Sequence, residues 1–271
     1  MSPFAPIPVF AHNPSPLTGS GNTTWLLRGT VPTLIDAGVG EPAHLQALDE
    51  ALAGERLEQV LVTHSHIDHA SGATAIAERM PYVRFLKMPW AAQDPAWRVR
   101  WEPIADGESI RAGDTSLTAV HTPGHSPDHL CFWHADSRVL FCGDLAWQGS
   151  TVVIPPSHGG DVSAYLASLE RVIALNPSTL LPAHGTVIEH PVELLREYIQ
   201  HRALRERQVI AALRVGISDP KDIVARIYPT LAKPLVPVAA ESVLAHLIKL
   251  EREGKVMREG GRWILAPALR G

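Results

Sequence analysis

His64, His66, Asp68 and His69 fall within six residues, and imidazoles and a carboxylate set that close together converge on one point in space. Ligands of this kind suit zinc or another first-row metal. The histidines at alternate positions 64 and 66 project one way out of an apolar run. Asp68 and His69 open the following helix and project another way, an arrangement that invites two metals. Three further segments offer one ligand each: Thr122-Pro123-Gly124-His125, Phe141-Cys142-Gly143-Asp144 and Pro182-Ala183-His184-Gly185. Each follows a strand-like run and includes a small residue that lets the backbone approach closely. Together His64, His66, Asp68, His69, His125, Asp144 and His184 give five imidazoles and two carboxylates. One carboxylate bridging two ions, with three other ligands on each, accounts for all seven. Clustered imidazoles without a metal would repel one another on protonation and leave several polar rings to satisfy.

The chemistry such a site supplies is hydrolysis. Two metals about 3.5–4 Å apart clamp the attacking and leaving oxygens and bring the pKa of water to about 7. A hydroxide bridging the pair then needs no serine or cysteine nucleophile. Asp68, the candidate catalytic residue, is both a ligand and the acceptor that orients that hydroxide. Thr63, Thr122 and Asp128 are candidates for fixing the imidazoles through hydrogen bonds. The substrate is an electrophile with a polarisable oxygen: a phosphodiester, a thioester or an ester. His12, His44, His134, His190, His201 and His246 read as surface or satisfied core positions, whereas His121, His129 and His158 lie nearer the site.

The elements that must carry these residues alternate. Runs at 24–27, 33–35, 59–63, 116–120, 130–133 and 138–142 read as strands, and 42–52 and 70–80 as helices. The interleaving predicts a layered α/β fold. Residues 88–104 read as a loop or insertion. Beyond residue 190 the texture changes: amphipathic stretches at 192–213, 221–228 (with Asp219 as N-cap) and 238–253 precede a hairpin at 255–265 turning on Glu259-Gly260-Gly261. Three helices and a hairpin look like a winged helix. The expected division is a catalytic domain over 1–190, a connecting helix over 191–215 and a winged-helix-like domain over 216–271.

At 271 residues there is ample chain for a hydrophobic core. No run reaches the roughly 18 apolar residues of a membrane span, and the first ten residues do not read as a signal peptide. Two cysteines, Cys131 and Cys142, make no disulfide scaffold and read as buried thiols facing each other across a hairpin. A cytoplasmic location without a membrane partner is the expectation. The net charge of −4 conceals an asymmetry: −9 over residues 1–190 against +5 over 191–271. Such a split suggests two units with different partners, although an Arg-rich helix with a solvated face would show it too.

His-x-His-x-Asp-His followed in order by His125, Asp144 and His184 resembles the metallo-β-lactamase superfamily. The resemblance narrows to its β-lactamase-like protein 2 branch through Asn13-Pro14-Ser15-Pro16, Gly21 to Leu26, Thr122 to His129, Gly143-Asp144, the segment His201-Arg202-x3-Arg205-Glu206-Arg207-Gln208 and Leu247-x2-Leu250-Glu251-x2-Gly254-Lys255-Val256. It implies an αββα sandwich with a winged-helix appendage. It also implies one metal on His64, His66 and His125, a second on Asp68, His69 and His184, and Asp144 between them. The cofactor expectation is two divalent ions, zinc first, with manganese or iron as the other candidates. The chain departs from the family in having Ala70-Ser71-Gly72 after the histidine motif and Trp25 where a tyrosine is common. The resemblance further implies that a true β-lactamase would carry cysteine where Asp144 stands, which argues against β-lactam hydrolysis.

Three functions follow from these readings. The first is cleavage of single-stranded RNA, drawn from the +5 tail and the branch, which includes an endoribonuclease. The second is thioester or acyl hydrolysis of the glyoxalase II kind, with residues 149–161 shaping the pocket and the tail serving as a lid or homodimer surface. The third is a non-catalytic winged-helix nucleic-acid-binding or sensor protein, against which the complete ligand set counts.

Overall fold

The computed structural model describes residues 4–15, 18–149 and 151–269; Pro16 and Ser150, which fall in two of the segments above, lie outside them. The first sheet takes its strands in chain order: β1 (Ile7–Phe10), β2 (Thr23–Leu27), β3 (Thr33–Ile35), β4 (Gln59–Leu61), β5 (Arg84–Lys87) and β6 (Trp101–Pro103). β1 to β3 pair antiparallel and β3 to β6 parallel. Parallel neighbours need crossovers; α1 (Pro42–Leu52), α2 (Ile67–Ala70) and α3 (Gly72–Arg79) lie within them. The second sheet holds β7 (Ser109–Ala112), β8 (Thr115–His121), β9 (Leu130–His134), β10 (Val139–Gly143) and β11 (Thr179–Pro182), with β10 and β11 parallel across α4 (Val162–Leu175).

Alternation along the strands sorts side chains into layers. Trp25, Leu27, Ile35 and Leu61 from the first sheet meet Leu117, Leu130, Phe132 and Phe141 from the second in one buried core. Leu26, Leu34 and Val60 face the opposite way and pack with Leu48 of α1 and Ile76 of α3. Cys131, Leu140 and Cys142 do the same on the other sheet, against Tyr165, Leu169 and Val172 of α4. The result is a helix–sheet–sheet–helix sandwich. Cys131 and Cys142 are buried free thiols in the second of these outer layers.

α5 (Pro191–Arg214) leaves the sandwich and also supplies Val209, Ala212 and Leu213 to a separate core. That core joins α6 (Pro220–Ile227), α7 (Val236–Arg252) and the hairpin of β12 (Val256–Glu259) and β13 (Arg262–Leu265). Asp219 caps α6, its carboxylate accepting from the Lys221 N–H. Gly260 and Gly261, both at positive φ, close the hairpin as a two-residue turn demands.

Beyond β1, β5, β7 and α4, which the sequence reading does not pick out, two elements differ from it. The helix expected over 70–80 begins at Ile67 and bends at Ser71, because Gly72 lies against the backbone of Ala37. A Cβ there would stand 2.0 Å from the Ala37 carbonyl oxygen. Residues 88–104 are not wholly irregular: they contain a short 3-10 turn (Asp94–Ala96) and the edge strand β6. Pro103 is tolerated in β6 because an edge strand has a side that need not donate.

Candidate metal centre

The predicted ligands all leave strand ends at one rim of the sandwich. β4 runs out through Thr63 into His64; His66 is the N-cap residue of α2, which carries Asp68 and His69; His125 follows β8, Asp144 follows β10 and His184 follows β11. The turn before Asp144 is specific to glycine. Gly143 has φ +48°, and a Cβ would come within 2.9 Å of both His129 Nε2 and Thr63 Oγ1.

Three overlapping groups have ligand atoms within 4.8 Å of one another: His64, His66 and His125; His64, His69 and Asp144; and Asp68, His69 and His184. Asp144 Oδ1 lies 3.3 Å from His69 Nε2 and 3.2 Å from His184 Nε2, and its Oδ2 lies 3.4 Å from His125 Nε2. Asp144 thus stands between the first group and the third. Asp68 Oδ2 is 3.4 Å from His184 Nε2.

The outer nitrogens of His125, His69 and His64 are occupied, which fixes where their inner lone pairs point, whereas His184 Nδ1 has no partner. His125 Nδ1 donates to the Val153 carbonyl at 2.7 Å. His69 Nδ1 donates to Asp36 Oδ2 at 2.8 Å. The Thr63 hydroxyl donates to Asp36, so it accepts from His64 Nδ1 at 3.0 Å. His64 Nε2 and His125 Nε2, both left as bare acceptors, approach His66 Nδ1 at 3.0 and 2.9 Å. Lone pairs aimed at one spot repel unless a cation sits among them. Metal–nitrogen bonds of about 2.0–2.1 Å in a tetrahedron separate the nitrogens by about 3.3 Å, close to what the rings adopt. The donor set therefore fits a divalent ion here.

Charge separates the two halves. Burial, with the neighbouring His125, holds His66 down to about 3. Burial and the adjacent imidazoles hold His64 well below its ordinary value. On the other side burial is overcome: Asp144, Asp68 and Asp36 raise His69 well above the usual range, and Asp144 and Asp68 lift His184 to about 9. Burial would raise the Asp144 carboxyl, yet His184 and His69 keep it well below the carboxylate range. The acidic half thus draws positive charge, and a divalent ion supplies that charge without protonating the rings.

The sequence reading missed Asp36 and Asn22, which set this geometry, and placed His129 near the site without giving it a role. Asp36, at the end of β3, accepts from the backbone and hydroxyl of Thr63 as well as from His69. Asn22 Nδ2 donates to Asp68 Oδ2 at 3.1 Å. His129 Nε2 accepts the Asp144 N–H at 3.1 Å, while its Nδ1 donates to Thr122 Oγ1 at 2.8 Å. Of the proposed supporting residues, Thr63 contacts a candidate ligand directly and Thr122 acts through His129. Asp128 holds the loops instead, bonding Ser65 Oγ and the buried Lys87. His158 lies at the margin, its ring centre 6.2 Å from that of His66. His121 turns away to the Pro127 carbonyl.

The metallo-beta-lactamase superfamily profile matches residues 17–184, more than half of the chain. The chain belongs to the metallo-beta-lactamase superfamily. Its C-terminal part matches the beta-lactamase associated winged helix domain over residues 220–263. Among curated relatives, a beta-lactamase-like protein 2 homolog from Drosophila melanogaster is 32% identical, with 92% of this chain and 89% of that protein covered. An atrochrysone carboxyl ACP thioesterase from Aspergillus chevalieri is 31% identical, covering 95% and 85%. A beta-lactamase domain protein from Burkholderia ambifaria has the same fold at a TM-score of 0.84, with 23% identity and 96% and 91% coverage. Membership of the metallo-beta-lactamase superfamily makes the chain a metal-dependent hydrolase and implies divalent metal binding, for which the His/Asp cluster is the candidate site. No helix among the described residues is long and apolar enough to cross a membrane.

Proposed function

We propose that the chain hydrolyses a small acyl thioester with two divalent ions, zinc foremost, held at the rim of the sandwich. His64, His66 and His125 would hold one ion and Asp68, His69 and His184 the other, with Asp144 between them. Bound ions supply Lewis acidity and bring water to a reactive pKa near 7. The protein's own groups do the rest. Asp36 and Thr63 keep His69 and His64 in one tautomer, so that neither ring can swing or present an N–H inward. His129 fixes the Asp144 backbone. Asp68, with a quarter of its side chain exposed, is the carboxylate reachable from solvent, where it accepts a hydrogen bond from the attacking water.

One observation carries the choice of substrate: Arg202, Arg205 and Lys249 of the tail are drawn into the molecule, where a polynucleotide strand does not reach them. Arg202 is 3% exposed and donates to the Val152 carbonyl. Arg205 lies over the Tyr228 ring, and Lys249 pairs with Glu206 and Glu253. The balance of −9 over residues 1–190 also repels a polyanion. The thioesterase relative aligns through both parts of the chain, which supports the same reading.

RNA cleavage stands as the second reading because of one feature. Arg196, Arg207 and Arg214 are exposed on α5, and at 3.6 residues per turn they share one face over about 27 Å. The deciding experiment measures metal content and turnover of an acyl thioester and of single-stranded RNA, in the wild type and in Asp68→Ala. Thioester turnover that falls at least 100-fold in the variant, with no RNA cleavage, is the expected result. RNA cleavage lost in both Asp68→Ala and a triple Arg196, Arg207, Arg214→Gln variant would replace it with the second reading.

A further inference from the structure

Between the catalytic sandwich and the appended domain lies a cleft lined by Thr151, His201, Arg202, Arg205, Ser242 and His246, among others. Its cavity of about 30 Å³ is partly open to solvent. No carboxylate lines it among the described residues. An arginine in a protein stays charged, and a buried charge left without a counter-charge is strongly destabilising. Arg202 is such a charge. It is almost fully buried, it makes no ion pair among the described residues, and its Nε has no partner. One nitrogen donates to the Val152 carbonyl, and the guanidinium carbon lies 5.3 Å from the Tyr165 ring centre.

The imidazoles nearby are in the same condition. His246 is 2% exposed, and neither of its nitrogens has a partner. His201 accepts from Arg205 Nε at Nε2 and leaves Nδ1 free. The surroundings are electropositive: burial first, then the charges of Arg202, Lys249 and Arg205 and the His201 ring, push His246 down to about 3. Satisfied core histidines, as the sequence suggested for positions 201 and 246, would not leave these nitrogens bare.

We infer that this cleft is a binding site for a phosphate-type oxyanion, held by the guanidinium groups of Arg202 and Arg205 and by N–H and O–H donors of His201, His246, Ser242 and Thr151. A tetrahedral oxyanion offers several acceptors to forked donors and supplies the counter-charge that Arg202 lacks. Two sources provide this chemistry: free inorganic phosphate, or a phosphoryl group on the substrate itself. The site is joined to the metal centre by two consecutive carbonyls, since Arg202 donates to Val152 and His125 to Val153.

The test titrates the full-length protein with inorganic phosphate by calorimetry and thermal denaturation, with chloride at matched ionic strength as the control. Saturable binding and a rise in Tm with phosphate alone are expected, with the affinity reduced at least tenfold in Arg202→Gln. Because that variant removes a buried group, Arg205→Gln and His246→Gln are measured beside it, and each should weaken binding several-fold while the protein stays folded. No saturable binding, or binding equal in all three variants, would overturn the site. The source is read separately. Competition by phosphate against a phosphorylated thioester but not an unphosphorylated one assigns the substrate's own phosphoryl group; an equal effect on both assigns free phosphate. Binding is read without turnover, so the result stands apart from the choice between thioester and RNA.

Discussion

Asp36 shows how much of the centre rests on a residue that is not a candidate ligand. It holds φ +65°, a left-handed conformation tolerated by few side chains, and from there it accepts bonds from Thr63 and His69. Asp36→Asn keeps the shape but removes the charge facing His69. Metal affinity is expected to fall roughly 10–100-fold, read by competition with a chromophoric chelator; unchanged affinity would leave Asp36 a purely structural role. Gly143→Ala forces a Cβ onto Thr63 and His129 at positive φ. A loss of about 1–3 kcal/mol in urea unfolding is expected. The His64–His69 run was readable because four metal-ligand residues within six positions have no ordinary alternative use. Asp36, Asn22 and the role of His129 were not, since each is a single polar residue whose partner lies 15 to 46 positions away and no spacing rule links them.

Elements were legible where their own ends announce them. Asp219 before Pro220 marks the start of α6, and the structure gives it the capping bond. Asp219→Ala should cost about 1 kcal/mol, and a change under a few tenths would mean that packing of α6 alone sets its start. The hairpin of β12 and β13 was legible from Gly260-Gly261 in the same way. β5 and β6 escaped notice for a physical reason. They are short strands at one side of a sheet, and β6 has neither alternation nor full burial, so nothing in the local pattern separates it from a loop. The break at Ser71 was equally hidden, because the backbone of Ala37 that Gly72 packs against is far away in sequence.

Across the whole molecule, buried histidines outside the centre make stability depend on pH. Burial, aided by the charge of His12, lowers His44 to about 4. The unfolded chain takes up that proton near 6.5 and the folded chain only near 4, so stability is constant above about 6.5 and declines as pH falls through that window. His44 alone should account for about 3 kcal/mol by pH 4. Urea midpoints from pH 7 to 4 should fall more steeply for the wild type than for His44→Gln; parallel slopes would exclude this account. The layered fold and its appended helices were legible because periodicity survives over long segments, but the way the two parts meet was not. α5 supplies side chains to both cores, and Arg202 on it grips the backbone one residue before the carbonyl that orients His125. The tail is therefore a structural beam for the reaction centre and cannot be treated as cargo. Chimeras that keep the sandwich and borrow a relative's tail should change metal retention even when the foreign tail folds, and they should recover it only when the arginine at the joint is restored.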